Sequence, residues 1–151
     1  MPCTFCEIVQ GDLAAQVVLE DETCLAFLDR RPLFPGHCLL IPRAHIQDLT
    51  ELPDAMIAPL FANARLLARA MVSGLGADGS FVAINNGVSQ SVPHLHVHVV
   101  PRRQGDGLRG FFWPRQKYAD DAEAIRIAET LRAAIERLRG TGSDGDGGTP
   151  G

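Results

Sequence analysis

The stretch His94-Leu95-His96-Val97-His98-Val99-Val100 carries three of the chain's five histidines at alternate positions. Strict alternation is the period of a β-strand, so the three imidazoles should share one face while Leu95, Val97 and Val99 enter a core on the other. At roughly 3.3 Å per residue, the outer two imidazoles would stand about 13 Å apart. Neutral imidazole serves near pH 7 as nucleophile, proton carrier and metal ligand, so such a row marks a site. The plainer alternative is three unrelated histidines on an amphipathic edge strand.

Outward from this run, Val17–Glu20, Cys24–Leu28, His37–Ile41 and Ser80–Ile84 read as four further strands, with Leu95–Val100 as the fifth. Cys3 to Gln10 reads as a short helix ended by Gly11. Pro53 to Val72 reads as a long one, with Met56, Leu60, Ala64, Leu67 and Met71 as its apolar stripe. Pro59 is expected to kink that helix or delay its start, and Ser73-Gly74-Leu75-Gly76 to end it. Asp120 or Asp121 can cap a last helix running to Leu138, with Ile125, Ala128, Leu131, Ile135 and Leu138 on its buried side. The fold class is therefore α+β, a five-stranded antiparallel sheet with helices on one face: one long helix and a C-terminal helix. One domain over residues 1–139 is expected. From Gly140 the chain is Gly, Thr, Ser, Asp and Pro, so residues 140–151 are expected to be a disordered tail.

An apolar share of 46%, a charged share of 21% and a net charge of −4 describe an ordinary globular protein and argue against a broad nucleic-acid or membrane surface. A phosphate-bearing ligand needs only a local pocket of donors. The N-terminus lacks the basic and apolar segments of an export signal, and no uninterrupted apolar run is long enough for a bilayer. A cytoplasmic protein is expected, with its four cysteines as thiols or metal ligands rather than disulfides. Cys24 and Cys38, inside apolar strands, read as small core residues.

A histidine that attacks phosphorus needs one ring nitrogen free and the other donating its proton to a fixed acceptor. A strand supplies that acceptor from its own carbonyls. His96, flanked by two more imidazoles, suits this role, and its neighbours could bind phosphate oxygens or protonate a leaving group. The same histidines could instead hold a hydrolytic metal. Such sites usually add carboxylates, and no Asp or Glu lies between Asn85 and Pro101.

Gln90-Ser91-Val92-Pro93-His94-Leu95-His96-Val97-His98-Val99-Val100-Pro101 resembles the signature of the histidine triad (HIT) superfamily of nucleotide hydrolases and transferases. Supporting segments are Cys3-Thr4-Phe5-Cys6-Glu7-Ile8-Val9, Ala26-Phe27-Leu28-Asp29, His37 to His45, and Asn85-Asn86-Gly87. The resemblance runs from about Phe5 to Gly107. It implies that His96 attacks the α-phosphorus of a purine nucleotide, that His98 binds the phosphate and assists the leaving group, and that His37 joins the network behind them. It places Gln90 and Ser91 as donors to phosphate and leaving group, Asn85 on the phosphate side, Asp29 at the ribose hydroxyls, and Phe5, Ile8 and Phe27 around the base. Those three apolar residues also suit plain core packing. The chain is more similar to bacterial members than to the small mammalian nucleoside phosphoramidases, because it continues through Phe111-Phe112-Trp113 and a final helix.

Cys3 and Cys6 have the Cys-x-x-Cys spacing of a zinc knuckle, although a reduced thiol pair has the same spacing. The resemblance implies that His45 and His94 complete a closed, structural zinc site. Metal removal would then lower stability and leave the chemistry of the folded fraction largely intact. No organic cofactor is expected, and the resemblance implies a homodimer. The readings set against a nucleotide hydrolase are a catalytically weak purine-nucleotide-binding module and a zinc-dependent nucleic-acid-binding module. The acidic balance disfavours the latter.

Overall fold

A computed structural model describes residues 2–108 and 115–141. In chain order the elements are α1 (Thr4–Gln10), β1 (Val17–Glu20), β2 (Cys24–Leu28), β3 (Cys38–Pro42), a 3-10 turn at Leu49–Glu51, α2 (Asp54–Leu75), β4 (Gly79–Ala83), β5 (Val97–Arg102) and α3 (Asp121–Thr141). The strands form one antiparallel sheet in the order β1-β2-β3-β5-β4, the expected α+β architecture.

Alternation sorts the sheet into two faces. Cys24, Ala26, Cys38, Leu40, Leu95, Val97 and Val99 pack with Leu60, Ala64, Leu67 and Met71 of α2. Leu25, Phe27, Leu39 and Ile41 point the other way and pack with Phe5 of α1. The two helices thus cover opposite faces, where the sequence reading placed all helices on one. Cross-strand pairing sets Phe27 opposite Leu39 and Leu39 opposite His98. That register aligns an apolar row with the last histidine of the run on the α1 face.

Helix ends follow the glycines. Gly11 and Gly76 take left-handed conformations, at φ 84° and 67°, and their amides return to carbonyls of α1 and α2. Pro59 sits in the second turn of α2, yet the helix starts at Asp54 without the expected delay. By length and composition α2 could cross a membrane. Arg65 and Arg69 interrupt its apolar run, which is why the sequence alone did not suggest this. Here one side of α2 is buried against the sheet, as a core helix requires.

The chain forms two compact units, Met1–Leu108, which holds the sheet, and Arg109–Gly151, which holds α3. In α3 the Asp120 carboxylate caps the Glu123 amide at 2.7 Å. The expectation that Ile125, Leu131, Ile135 and Leu138 are buried is not met, since all four are exposed, and Ala128 is only half-buried. Periodicity tells which residues share a face, not whether anything covers it. The helix continues through Thr141, two residues into the segment expected as tail. Residues 142–151 and Phe111-Phe112-Trp113 lie outside the described residues.

Candidate functional site

His94 and His96 precede the first residue of β5, and His98 is its second residue. The sequence reading had begun this strand two residues earlier. His96 is almost fully buried, and its Nδ1 donates to the His94 carbonyl at 2.8 Å. A carbonyl can only accept, so the proton of the neutral ring resides on Nδ1 and Nε2 keeps its lone pair. This is the arrangement a nitrogen nucleophile needs.

A second chain of bonds fixes the neighbouring rings. The Leu33 amide donates to His37 Nδ1 at 3.1 Å, so the neutral His37 ring carries its proton on Nε2. His37 Nε2 lies 3.0 Å from His98 Nδ1 and donates to it, which leaves the His98 proton on Nε2. Burial, followed by the neighbouring His96 and His37, lowers the pKa of His98 to about 4. Burial also lowers that of His37, with partial opposition from Asp29. Both rings are therefore neutral near pH 7, and His98 presents an N–H donor beside His96, their ring centroids 5.0 Å apart.

Asp29 Oδ2 lies 3.7 Å from His37 Nε2, so Asp29, His37 and His98 are near enough together to share a metal ion. The Leu33 amide opposes that use. A neutral imidazole bound to metal through Nε2 keeps its proton on Nδ1, where it would meet the Leu33 N–H.

Beside the histidines lies a cavity of about 450 Å³, within the range of small-molecule and cofactor pockets. Phe5, Ile8, Phe27, Leu39 and Asp29 are among its lining residues. Phe5 joins cavity and histidines, meeting the Phe27 ring edge-on at 5.4 Å and the His96 ring at 5.1 Å. Asp29 follows the last residue of β2 on the same side, its other carboxylate oxygen accepting the Arg31 amide at 2.9 Å.

The structure thus brings His96, His98, His37, Asp29 and Phe5 together. Ile8 and Phe27 line the cavity; Asn85 is exposed and does not. Gln90 uses its carboxamide within the loops, accepting from the Gly87 amide at 2.9 Å and donating to the Gln47 carbonyl at 2.6 Å. Ser91 is exposed on the same loop. Sequence reasoning missed Leu39, Leu33 and Gln47. Leu39 was open to discovery by alternation along β3. The other two act through backbone groups, which leave no trace in residue type.

A separate cluster forms at the start of α1. Cys3, Cys6, His45 and His94 each offer a ligand atom, all within 4.8 Å of one another. His94 Nδ1 is 3.5 Å from Cys3 Sγ and 3.6 Å from Cys6 Sγ, and His45 Nδ1 is 3.3 Å from Cys6 Sγ. Zinc bonded tetrahedrally to sulfur and nitrogen gives sulfur–nitrogen separations of roughly 3.6 Å, so the donor set fits. His94 Nε2 is also 2.8 Å from the Pro42 carbonyl, the outer partner a metal-bound imidazole commonly has. Burial, then the neighbouring Cys3, raises the Cys6 thiol pKa, and a bound cation would reverse that.

Residues 10–105 match the HIT domain. Adenosine 5'-monophosphoramidase hnt1 of Schizosaccharomyces pombe is 34% identical over 139 residues, 90% of this chain and 100% of that protein. Adenylylsulfatase HINT3 of Arabidopsis thaliana is 36% identical over 137 residues, 86% of this chain and 68% of that protein. The crystal structure of a Zn-bound histidine triad family protein from Mycobacterium smegmatis aligns with a TM-score of 0.68 at 43% identity, covering 93% of this chain and 98% of that one. With this match extending across the sheet and the histidine run, the chain belongs to the HIT family.

Proposed function

We propose that this chain is a nucleotide hydrolase or nucleotidyl transferase that cleaves at the α-phosphate through a covalent nucleotidyl-histidine. The observation that carries the reading is the His96 ring, held by its Nδ1–H on the His94 carbonyl with Nε2 free. The base would enter the apolar cavity between Phe5, Ile8 and Phe27, with the ribose hydroxyls on Asp29. In the first step the Nε2 lone pair of His96 attacks the α-phosphorus and the bond to the leaving group breaks. His98 keeps its Nε2 proton and hydrogen-bonds it to the phosphate or the departing atom, and the departing group takes the proton it needs from solvent. In the second step water attacks the same phosphorus, the phosphorus–nitrogen bond breaks and His96 is regenerated. Gln90 and Ser91 serve the leaving-group side from their loop, and Asn85 serves the phosphate.

Zinc, held by Cys3, Cys6, His45 and His94, would supply a structural cross-link between α1 and the histidine segment, with no open position for substrate. Candidate substrates are nucleoside phosphoramidates, diadenosine polyphosphates and related adenylates. The activities named for the two relatives, on an adenosine monophosphoramidate and an adenylyl sulfate, are consistent with this range. We further propose a cytoplasmic homodimer. Exposed Val82 on the edge strand β4 supports extension of the sheet through a second chain.

The test is incubation with adenosine phosphoramidate, diadenosine tetraphosphate and adenylyl sulfate in oxygen-18 water. The expected product is AMP carrying one solvent oxygen on its phosphate. Tight purine nucleotide binding without product over hours would favour the binding-module reading instead.

A further inference from the structure

His94 belongs to both constellations. Its side chain faces Cys3 and Cys6, and its carbonyl receives the Nδ1 proton of His96. That carbonyl is not in a strand, so sheet pairing does not fix its direction. Other contacts must do so. The Leu95 amide, on the same peptide plane, donates to the Ile46 carbonyl at 2.7 Å. Because the peptide is planar and trans, holding its N–H fixes the opposite direction for its C=O. His45 and His94 are the residues immediately before the two partners of this bond, Ile46 and Leu95. An ion held by both imidazoles would therefore pin the two loops on either side of the Leu95–Ile46 bond. Phe5, between the two cysteines in sequence, rests edge-on against both the His94 and His96 rings, at 5.9 and 5.1 Å.

We infer that the Cys3/Cys6/His45/His94 cage is a positioning device for His96, with His94 as the positioning residue. Metal occupancy fixes the carbonyl that holds the His96 ring, and so sets how firmly Nε2 is aimed. This departs from the independence of metal and chemistry that a closed structural site suggests. The reason is that the ligand residue itself supplies the acceptor. The inference rests on the proposed role of His96 as nucleophile only where it concerns rate.

The test uses the full chain with nitrogen-15-labelled histidine, prepared metal-free with a chelator and then titrated with zinc chloride. Nitrogen-detected spectra follow the His96 ring, and a rapid-quench assay follows nucleotidylation in one turnover. With zinc, the His96 Nδ1–H should exchange slowly with water and the ring should hold a single tautomer. In the folded metal-free chain its exchange should quicken by at least about tenfold, in proportion to the weakened bond, with a comparable loss in nucleotidylation rate. Equal exchange with and without zinc would overturn the inference. A contrast in exchange with no nucleotidylation in either state supports the positioning role and contradicts the nucleophile. If the metal-free chain does not fold, Cys3→Ala/Cys6→Ala supplies a metal-free state without the two unliganded cage thiols, and the same contrast is required of it.

Discussion

His37 and His98 share a hydrogen bond from Nε2 to Nδ1 at 3.0 Å, and the Leu33 amide at the far side of His37 sets its direction. One backbone N–H thereby determines which nitrogen of His98, two residues beyond His96, carries a proton. The order amide, His37, His98 leaves His98 with a donor on Nε2, which is what an approaching phosphate requires.

Replacement of His37 by Phe removes that relay, so both tautomers of His98 become accessible. The expected effect is a fall in kcat on the order of a hundredfold with a smaller change in KM. His37→Gln, which can still place an N–H near His98 Nδ1, should recover part of the loss. Steady-state kinetics of the two variants check this; equal losses in both would contradict the relay.

Acid should destabilise the fold through the same rings. His98 has a folded pKa of about 4 against an unfolded value of 6.5, so between these values the unfolded chain holds a proton that the folded chain lacks. Stability then rises with pH through that window and is lost as pH falls, by up to about 3 kcal/mol from His98 alone. The facing groups are His96, His37 and Asp29; lowered His37 acts in the same direction, and Asp29 opposes both shifts. Urea unfolding across this window should show a shallower profile for His98→Asn than for the unsubstituted chain. Parallel profiles would contradict the assignment.

Asp29 is expected to discriminate the sugar. A charged acceptor at the ribose hydroxyls contributes about 1.5–3 kcal/mol per bond, so ribonucleotide substrates should exceed their 2'-deoxy analogues about tenfold to a hundredfold in kcat/KM. Asp29→Ala should erase most of that ratio. A ratio unchanged by the substitution would place the sugar elsewhere.

Much of this was legible in residue order, for identifiable reasons. Alternation from His94 to Val100 separated Leu95, Val97 and Val99 from the histidines, and those three enter the core as expected, in the cluster with α2. The stripe on α2 was legible because a helix repeats its buried face every three to four residues. The strand ends were less so: His94 and His96 lie outside β5, where the His94 amide donates to the Val92 carbonyl and the Leu95 amide to that of Ile46, outside any strand. The apolar side of α3 was legible as a side, but its exposure was not. The cysteines suggested a metal by spacing, while the meeting of Cys3 and His94 depends on loop paths that no local pattern encodes. The same holds for the amide of Leu33 and the carbonyls of Pro42 and Gln47.

The most direct measurement is capture of the covalent state. The chain is mixed with an adenylated substrate, quenched within one turnover in base to preserve the phosphorus–nitrogen bond, and its peptides are read by mass spectrometry. The account predicts an adenylate on His96, absent from His96→Ala, and loss of nearly all turnover in that variant. Full activity in His96→Ala, or an adenylate on a different residue, would contradict it.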